Sequence, residues 1–396
     1  MTTQMTTTHV PTSSAAPQTD STPSTWLYVR IYCPPELNDI AIVQLIHPLV
    51  RELKAQGLID RSFFIRYHEG GNHLRLRVHG RYDVLFGPVR RLLDHWIVAF
   101  FAAHGFTVDG PLDDGPNGVD DPSWEPKLPG STPRPIPSYE YDRYEPEINR
   151  YGGPHGLALS ETHFEQSSHL AAQVIERVLA GYGPRQNAAL LLMDAMVEAL
   201  GYMGTAKAET FARQCHYWLR SHWMQPHPAR YLRWLSDEYT RLRRPVRQLL
   251  PTDRPADNSH PSRAPWKDLL DRWRTEMTTL SAEIAKLEAQ GQLTESRASL
   301  LQSYIHMLCN RLGILPREEA CLAHLVYRHY AEAWGMKTYD FLNLSMHETV
   351  RLMEPTMTPV QQEALRQALR ASGVILTPAW RSPGTTPDAE TALAQA

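Results

Sequence analysis

Between about residues 25 and 105 the apolar spacing keeps switching between strand-like and helix-like periods, and that switching leaves few possible folds. Residues 26–32, Trp-Leu-Tyr-Val-Arg-Ile-Tyr, read as a strand. Residues 37–56 carry apolar side chains at helical spacing and stop near Gly57. Residues 61–68 and 73–79 read as two strands around Glu69-Gly-Gly-Asn72, a hairpin signal. Residues 82–103 read as a helix, and a further strand is expected near 138–145. The order β-α-β-β-α-β is the ferredoxin-like arrangement. The expected fold class is therefore α+β: a ferredoxin-like, helix-covered sheet followed by a large helical region.

The remaining chain sets the organisation. Residues 1–23 are Thr, Ser, Pro and Gln, and 376–396 are similar, so both read as disordered tails. The sheet region is expected over 24–160, with an inserted Pro-, Gly- and Asp-rich loop at 105–137. The helical region is expected over 161–375. Helices fit from a Ser160 cap to about 181, then 185–203, 206–222, 226–249, 264–290, 295–312 after a Thr294 cap, 317–335 and 359–371. Pro251 to Pro265 reads as a polar linker.

Composition excludes several classes. A net charge of -3 gives no reason to expect direct nucleic-acid binding. Apolar runs such as Trp96 to Ala103 fall far short of a membrane span. No basic-then-apolar start suggests secretion, so the expectation is a soluble, cytoplasmic protein. The four cysteines form no CxxC pair and read as reduced thiols; Cys215-His216 alone is weak ground for a metal. No phosphate-binding or dinucleotide motif appears. No cofactor is expected, so the substrate must arrive activated or undergo chemistry that needs no activation.

Three features carry chemistry. If the turn is Glu69–Asn72, His68 lies opposite His73, Arg66 opposite Arg75, and Phe64 opposite Arg77. The other face would then carry Phe63, Ile65, Tyr67, Leu74, Leu76 and Val78. Like charges opposed across strands are unfavourable unless solvated, paired with carboxylates, or binding an anion. A solvated face with surface Asp or Glu is the bland alternative. Second, Gly152 and Gly153 follow Arg150 and could turn it toward a site, or leave it an ordinary loop arginine. Third, Ser299, Ser303, His306 and Asn310 form one polar stripe on the 295–312 helix. That stripe is either a satisfied buried network or a site in which His306 is an acid or base. The Arg241, Arg243, Arg244 and Arg247 run reads as a solvated helix face, with an acidic-peptide contact as the alternative. Tyr139, Tyr141 and Tyr144 read as packing.

Taken in order, several segments resemble the thiopeptide-type bacteriocin biosynthesis family, which includes the elimination domain of class I lantibiotic dehydratases. They are Trp26 to Tyr32, Phe63 to Tyr67, His73 to Arg77, Glu147 to Gly153, Glu161 with Phe164 and Ser167-Ser168, and Ser303 to Arg311. The resemblance implies elimination of glutamate from a glutamylated Ser or Thr of a ribosomally made precursor peptide, leaving dehydroalanine or dehydrobutyrine. It implies that Arg75 and Arg77 hold the glutamyl carboxylate, that Arg150 stabilises enolate charge or helps activate a base, and that His306 is acid or base. Arg66 is an expected supporting anion contact, and Ser303 and Asn310 are expected to line the substrate. The chain is similar to the stand-alone, split form. Its expected partners are the precursor peptide and a separate glutamyl-tRNA-dependent glutamylating protein; a homodimer is compatible with this. Two alternatives stay open: pyridine-forming [4+2] cycloaddition with leader release, and a non-catalytic leader-peptide-binding module.

Overall fold

The computed structural model describes residues 23–115, 133–221, 227–252 and 259–371. Four strands, β1 (Ser24–Tyr32), β2 (Arg61–Tyr67), β3 (His73–Arg81) and β4 (Ser138–Asp142), form one antiparallel sheet in the order β2-β3-β1-β4. This is the ferredoxin-like order the switching periodicity predicts. Its crossovers are α1 (His47–Ala55), continuing a π-helical turn Ile42–Ile46, and α2 (Arg90–Ala103), continuing a second at Leu85–Val89. Leu27, Val29, Ile31, Phe64, Leu74, Leu76 and Val78 share one sheet face and are buried with Leu45, Leu49, Leu93 and Ile97 of the crossovers.

The helical region follows as α3 (Gly153–Leu179), α4 (Arg185–Ala199), α5 (Gly204–Arg220), α6 (Pro228–Leu249), α7 (Lys267–Ala289), α8 (Arg297–Leu312), α9 (Pro316–Ala333), α10 (Met346–Met353) and α11 (Pro359–Ala371). Two expected caps are corrected. Helix α3 begins at Gly153, because left-handed Gly152 and Pro154 in the first turn already set its start. Ser160 lies inside it, bonded to the Gly156 carbonyl and to Tyr304 Oη. Helix α8 is capped by Ser296, whose hydroxyl accepts from the Ser299 amide at 3.1 Å, not by Thr294. Helix α10 had no sequence expectation. Most of the expected insertion, 116–132, lies outside the described residues, as do both expected tails except for Pro23. Among the described residues no helix is long and apolar enough to cross a membrane, and no cluster of three His, Cys, Asp or Glu could hold a metal.

Strand β2 is an edge whose backbone groups are met by side chains instead of another strand. Ser62 N donates to Glu165 Oε1 and Phe64 N to Ser168 Oγ. Arg66 N donates to Asn310 Oδ1 at 2.9 Å, and Asn310 Nδ2 donates back to Arg66 O at 2.8 Å. Arg311 Nε donates to Phe64 O at 3.1 Å. An edge left open would template foreign strands; here α3 and α8 close it and fix the helical region against the sheet. Asn310→Ala removes two bonds and strands two backbone groups, so stability should fall by about 1–3 kcal/mol. Urea denaturation should show a lower midpoint with an unchanged slope.

Candidate active site

The hairpin register corrects the expected arrangement by one residue. Tyr67 pairs with His73, Ile65 with Arg75 and Phe63 with Arg77, while Arg66 pairs with Leu74. The loop is His68–Asn72, longer than the sequence reading assumed, and Gly70 and Gly71 take positive φ within it. A one-residue slip turns every side chain over. Arg75 and Arg77 therefore share a face with Phe63, Ile65 and Tyr67, and Arg66 leaves that face. Its guanidinium donates to Asp39 Oδ1 at 2.5 Å and to the Arg311 carbonyl at 3.1 Å. Arg66 and Asn310, expected to contact substrate, bond neighbouring elements instead: Arg66 meets Asp39, ahead of α1, and Asn310 of α8 holds the β2 backbone.

The face opposite the crossover helices carries Tyr28, Arg30, Tyr32, Phe63, Tyr67, His73, Arg75, Arg77, Glu140 and Asp142. Its cations are not equivalent. Arg30 pairs with Asp142 and Glu140, and Arg61 at the end of β2 pairs with Glu161 at 3.3 Å. Arg75 and Arg77 pair with no carboxylate among the described residues. Arg75 stacks on Tyr67, 3.4 Å from the ring centroid, and donates from Nε to His73 Nε2 at 3.0 Å. That bond requires neutral His73 with its proton on Nδ1, which donates to the Gly71 carbonyl at 2.7 Å. Burial, with repulsion from Arg77 and Arg30, pulls the Arg75 guanidinium below its ordinary value. Arg77 is 7% exposed and lies between aromatic rings, 4.6 Å from Tyr28 and 4.9 Å from Tyr144.

The helical half presents a second group of residues. The loop before α3 places Arg150 so that Nη1 bonds both Glu147 oxygens at 3.1 Å and Nε reaches Ser303 Oγ at 3.4 Å. Ser303 lies one helical turn before His306 on α8. His306 Nδ1 is 2.9 Å from Glu319 Oε2, and its ring packs 5.0 Å from Trp218. Glu319, on α9, is fully buried, and its other oxygen accepts from Gln214 of α5. A buried carboxylate on Nδ1 selects the tautomer that leaves Nε2 as the free lone pair. Arg150, Ser303 and His306 are thus brought together. Arg77 is linked to them through aromatic packing: Arg77 lies 5.2 Å from Phe63, Phe63 packs on Phe164 at 5.3 Å, Phe164 on Tyr151 at 4.8 Å, and Tyr151 lies beside Arg150 at 5.5 Å. A cavity of about 830 Å³ between α1 and α3 is lined by Trp96, His47 and His169, and by none of the expected site residues.

Glu319, Gln214, Glu147, Tyr151 and Arg311 were not singled out from the sequence. Glu147, Tyr151 and Arg311 lie inside the family-like segments Glu147 to Gly153 and Ser303 to Arg311, so spacing around Arg150 and His306 is an available signal. Glu319 and Gln214 sit on other helices and had no local signal.

Burial makes several histidines sensitive to acid. His73, His163 and His324 are held neutral by desolvation, with values pulled down to about 3. Their unfolded value is near 6.5, so below it the unfolded chain binds more protons. Their stabilising contribution is fully present above about pH 6.5 and is lost as pH falls toward 3, at about 1.4 kcal/mol per pH unit per group. The denaturation midpoint should drop clearly between pH 7 and 5. A His163→Met variant should lose less over that interval than the unsubstituted protein.

A ferredoxin-like sheet with a cationic, aromatic face, joined to helices carrying a carboxylate-held histidine, defines the class. The chain matches the family described as lantibiotic biosynthesis dehydratase C-term over residues 26–330 and belongs to it. It is 22% identical over 295 residues to the epidermin biosynthesis protein EpiB of Staphylococcus epidermidis, covering 74% of this chain and 24% of that protein. The chain thus spans about a quarter of that relative's length. Its fold is similar to the pyridine synthase TbtD from thiomuracin biosynthesis, with a TM-score of 0.57, 20% identity, and coverage of 78% of this chain and 99% of that one. TsrL is similar at a TM-score of 0.50 and 19% identity, covering 85% and 99%. Family and fold together assign the chain to the biosynthesis of ribosomally made, modified peptides.

Proposed function

We propose that the protein eliminates glutamate from glutamylated Ser or Thr residues of a precursor peptide, with a separate glutamyl-tRNA-dependent protein supplying the ester. The observation that carries this reading is the pair Arg75 and Arg77, the sheet-face arginines that form no salt bridge with a carboxylate among the described residues. An acidic acyl group would supply the missing counter-charge. His306 Nε2, free while Nδ1 faces Glu319, takes the α-proton. Arg150, which meets Ser303 one turn from His306, stabilises the developing enolate oxygen. The electron pair then expels the ester oxygen, breaking the Cβ–O bond, and glutamate departs as a carboxylate that needs no proton. Glu319 stabilises the imidazolium until it returns its proton to solvent.

The test is a synthetic peptide carrying a verified glutamyl ester, followed by mass spectrometry. Free glutamate and a dehydrated residue are expected. An intact ester after incubation with folded protein would refute the reading.

A second reading, pyridine-forming [4+2] cycloaddition with leader release, is favoured by the similarity to TbtD across 99% of that chain. Arg75 and Arg77, without a salt bridge to a carboxylate among the described residues, favour elimination, because two dehydroalanines bring no anion. A dehydrated, azole-containing peptide that macrocyclises and loses its leader would reverse the order. Peptide binding without turnover of either substrate, unaffected by His306→Ala, would indicate a leader-binding module.

A further inference from the structure

The cavity between α1 and α3 lies apart from the proposed active site and carries a charge of its own. Its volume of about 830 Å³ falls in the roughly 300–1,000 Å³ range of small-molecule sites. Ile46, Phe64 and Leu76 of its lining belong to the core, while Val50 and Trp96 are half-buried and bring apolar surface to it. Strand β2 and helices α1, α2, α3 and α7 all contribute, so the space is enclosed from several sides and is not a groove along one face. His47 Nε2 and His169 Nδ1 are 3.1 Å apart, and Gln173 Nε2 is 3.1 Å from His169 Nε2. That clip joins α1 to α3 and preorganises the walls.

Three carboxylates line the cavity, and they are not equivalent. Glu165 accepts from Ser62 N at 3.2 Å and pairs with Lys54; Glu52 accepts from Gln56 Nε2 at 3.1 Å. Glu276 of α7 is half-buried and has no hydrogen bond or ion pair among the described residues, and burial pushes its carboxyl above the ordinary value. Arg272, one turn earlier, offsets that only in part; its guanidinium donates to Gln173 Oε1 at 2.8 Å. Of the lining cations, Lys54 is taken by Glu165, and Arg51 is exposed. An exposed arginine without a partner costs little, because water solvates it, whereas a carboxylate withdrawn from water gains from a counter-ion. The charge this cavity calls for is therefore positive. An ammonium also gains from an aromatic face such as that of Trp96.

We propose that the cavity is a binding site for a small organic cation, a primary ammonium on an aromatic or branched apolar body, with Glu276 as its counter-ion. The site does not depend on the elimination reading, since none of Arg75, Arg77, Arg150 and His306 lines it. The two sites meet at one side chain: Phe63 lines the cavity and stands 5.2 Å from Arg77.

Tryptamine, neutral ethylindole and anionic indolepropionate share one indole body and differ in charge. Each is titrated calorimetrically into the full chain. Tryptamine should bind about tenfold more tightly than ethylindole, and indolepropionate should bind most weakly. Glu276→Gln should bring tryptamine down to the affinity of ethylindole with an unchanged denaturation midpoint. Val50→Trp, which fills the cavity, should abolish binding of both. Tryptamine no tighter than ethylindole, or indolepropionate the tightest of the series, would overturn the charge assignment. Absence of binding by all three, or undiminished binding in Val50→Trp, would overturn the site. A tryptophyl-triglycine amide that binds more tightly than tryptamine would make the occupant a peptide terminus and overturn the small-molecule assignment. Should Glu276→Gln fail to fold, the charge series on the unsubstituted protein and Val50→Trp still decide.

Discussion

Replacing His306 by alanine is expected to lower glutamate release by ~10²–10⁴-fold, the range typical for a positioned acid–base group. Affinity for the glutamylated peptide should stay within a few-fold of normal. The expectation follows from geometry: Nδ1 is held by a fully buried carboxylate, so the ring cannot turn freely, and Nε2 is left to act. Glu319→Gln should act through His306. Its amide can accept from Nδ1 but cannot balance the imidazolium, so the loss should be smaller and the pH profile of kcat should move to a different midpoint. A Glu319→Gln enzyme with normal kcat and an unmoved profile would show that the pair only packs. His306→Ala with normal turnover would remove the base from the mechanism.

Neutralising Arg77 should have the second largest effect. Loss of a buried, charge-assisted contact to the substrate carboxylate costs about 2–4 kcal/mol, or ~30- to 10³-fold in kcat/KM for Arg77→Gln. Its stability should fall less, because no carboxylate among the described residues is salt-bridged to Arg77, and Glu161, the carboxylate that feels its charge, keeps Arg61. Arg66→Gln is the contrast on the neighbouring strand. It leaves Asp39 with only Arg185 and opens the joint to α8, so stability should drop by about 3 kcal/mol. Steady-state kinetics on glutamylated and plain peptide, beside denaturation curves, separate the two. Equal losses of stability in both variants, with unchanged kcat/KM for Arg77→Gln, would contradict the assignment.

Much of this site could be read locally and some could not. Arg150 and the Ser303–His306 stripe were visible because the residues that place them are neighbours in sequence or on one helix. The hairpin was visible, but its register was not. Two glycines let the loop take one more residue than the four of the expected turn, and that single residue moved Arg66 from the cationic face into a structural ion pair. Asn310 sits on the expected stripe, yet the edge of β2 claims its amide. Glu319 and Gln214 could not be found locally, because they meet His306 from α9 and α5.

The order of elements, the sheet's covered face and the helical character of the second half were determined by the chain's own periodicity, since burial of an alternating or 3.6-spaced face is a local demand. Which arginines stand without a counter-ion was decided only in three dimensions. Asp39, Asp142, Glu140 and Glu161 reach their cations across the sheet or from other elements, and charge compensation acts through space and not along the backbone.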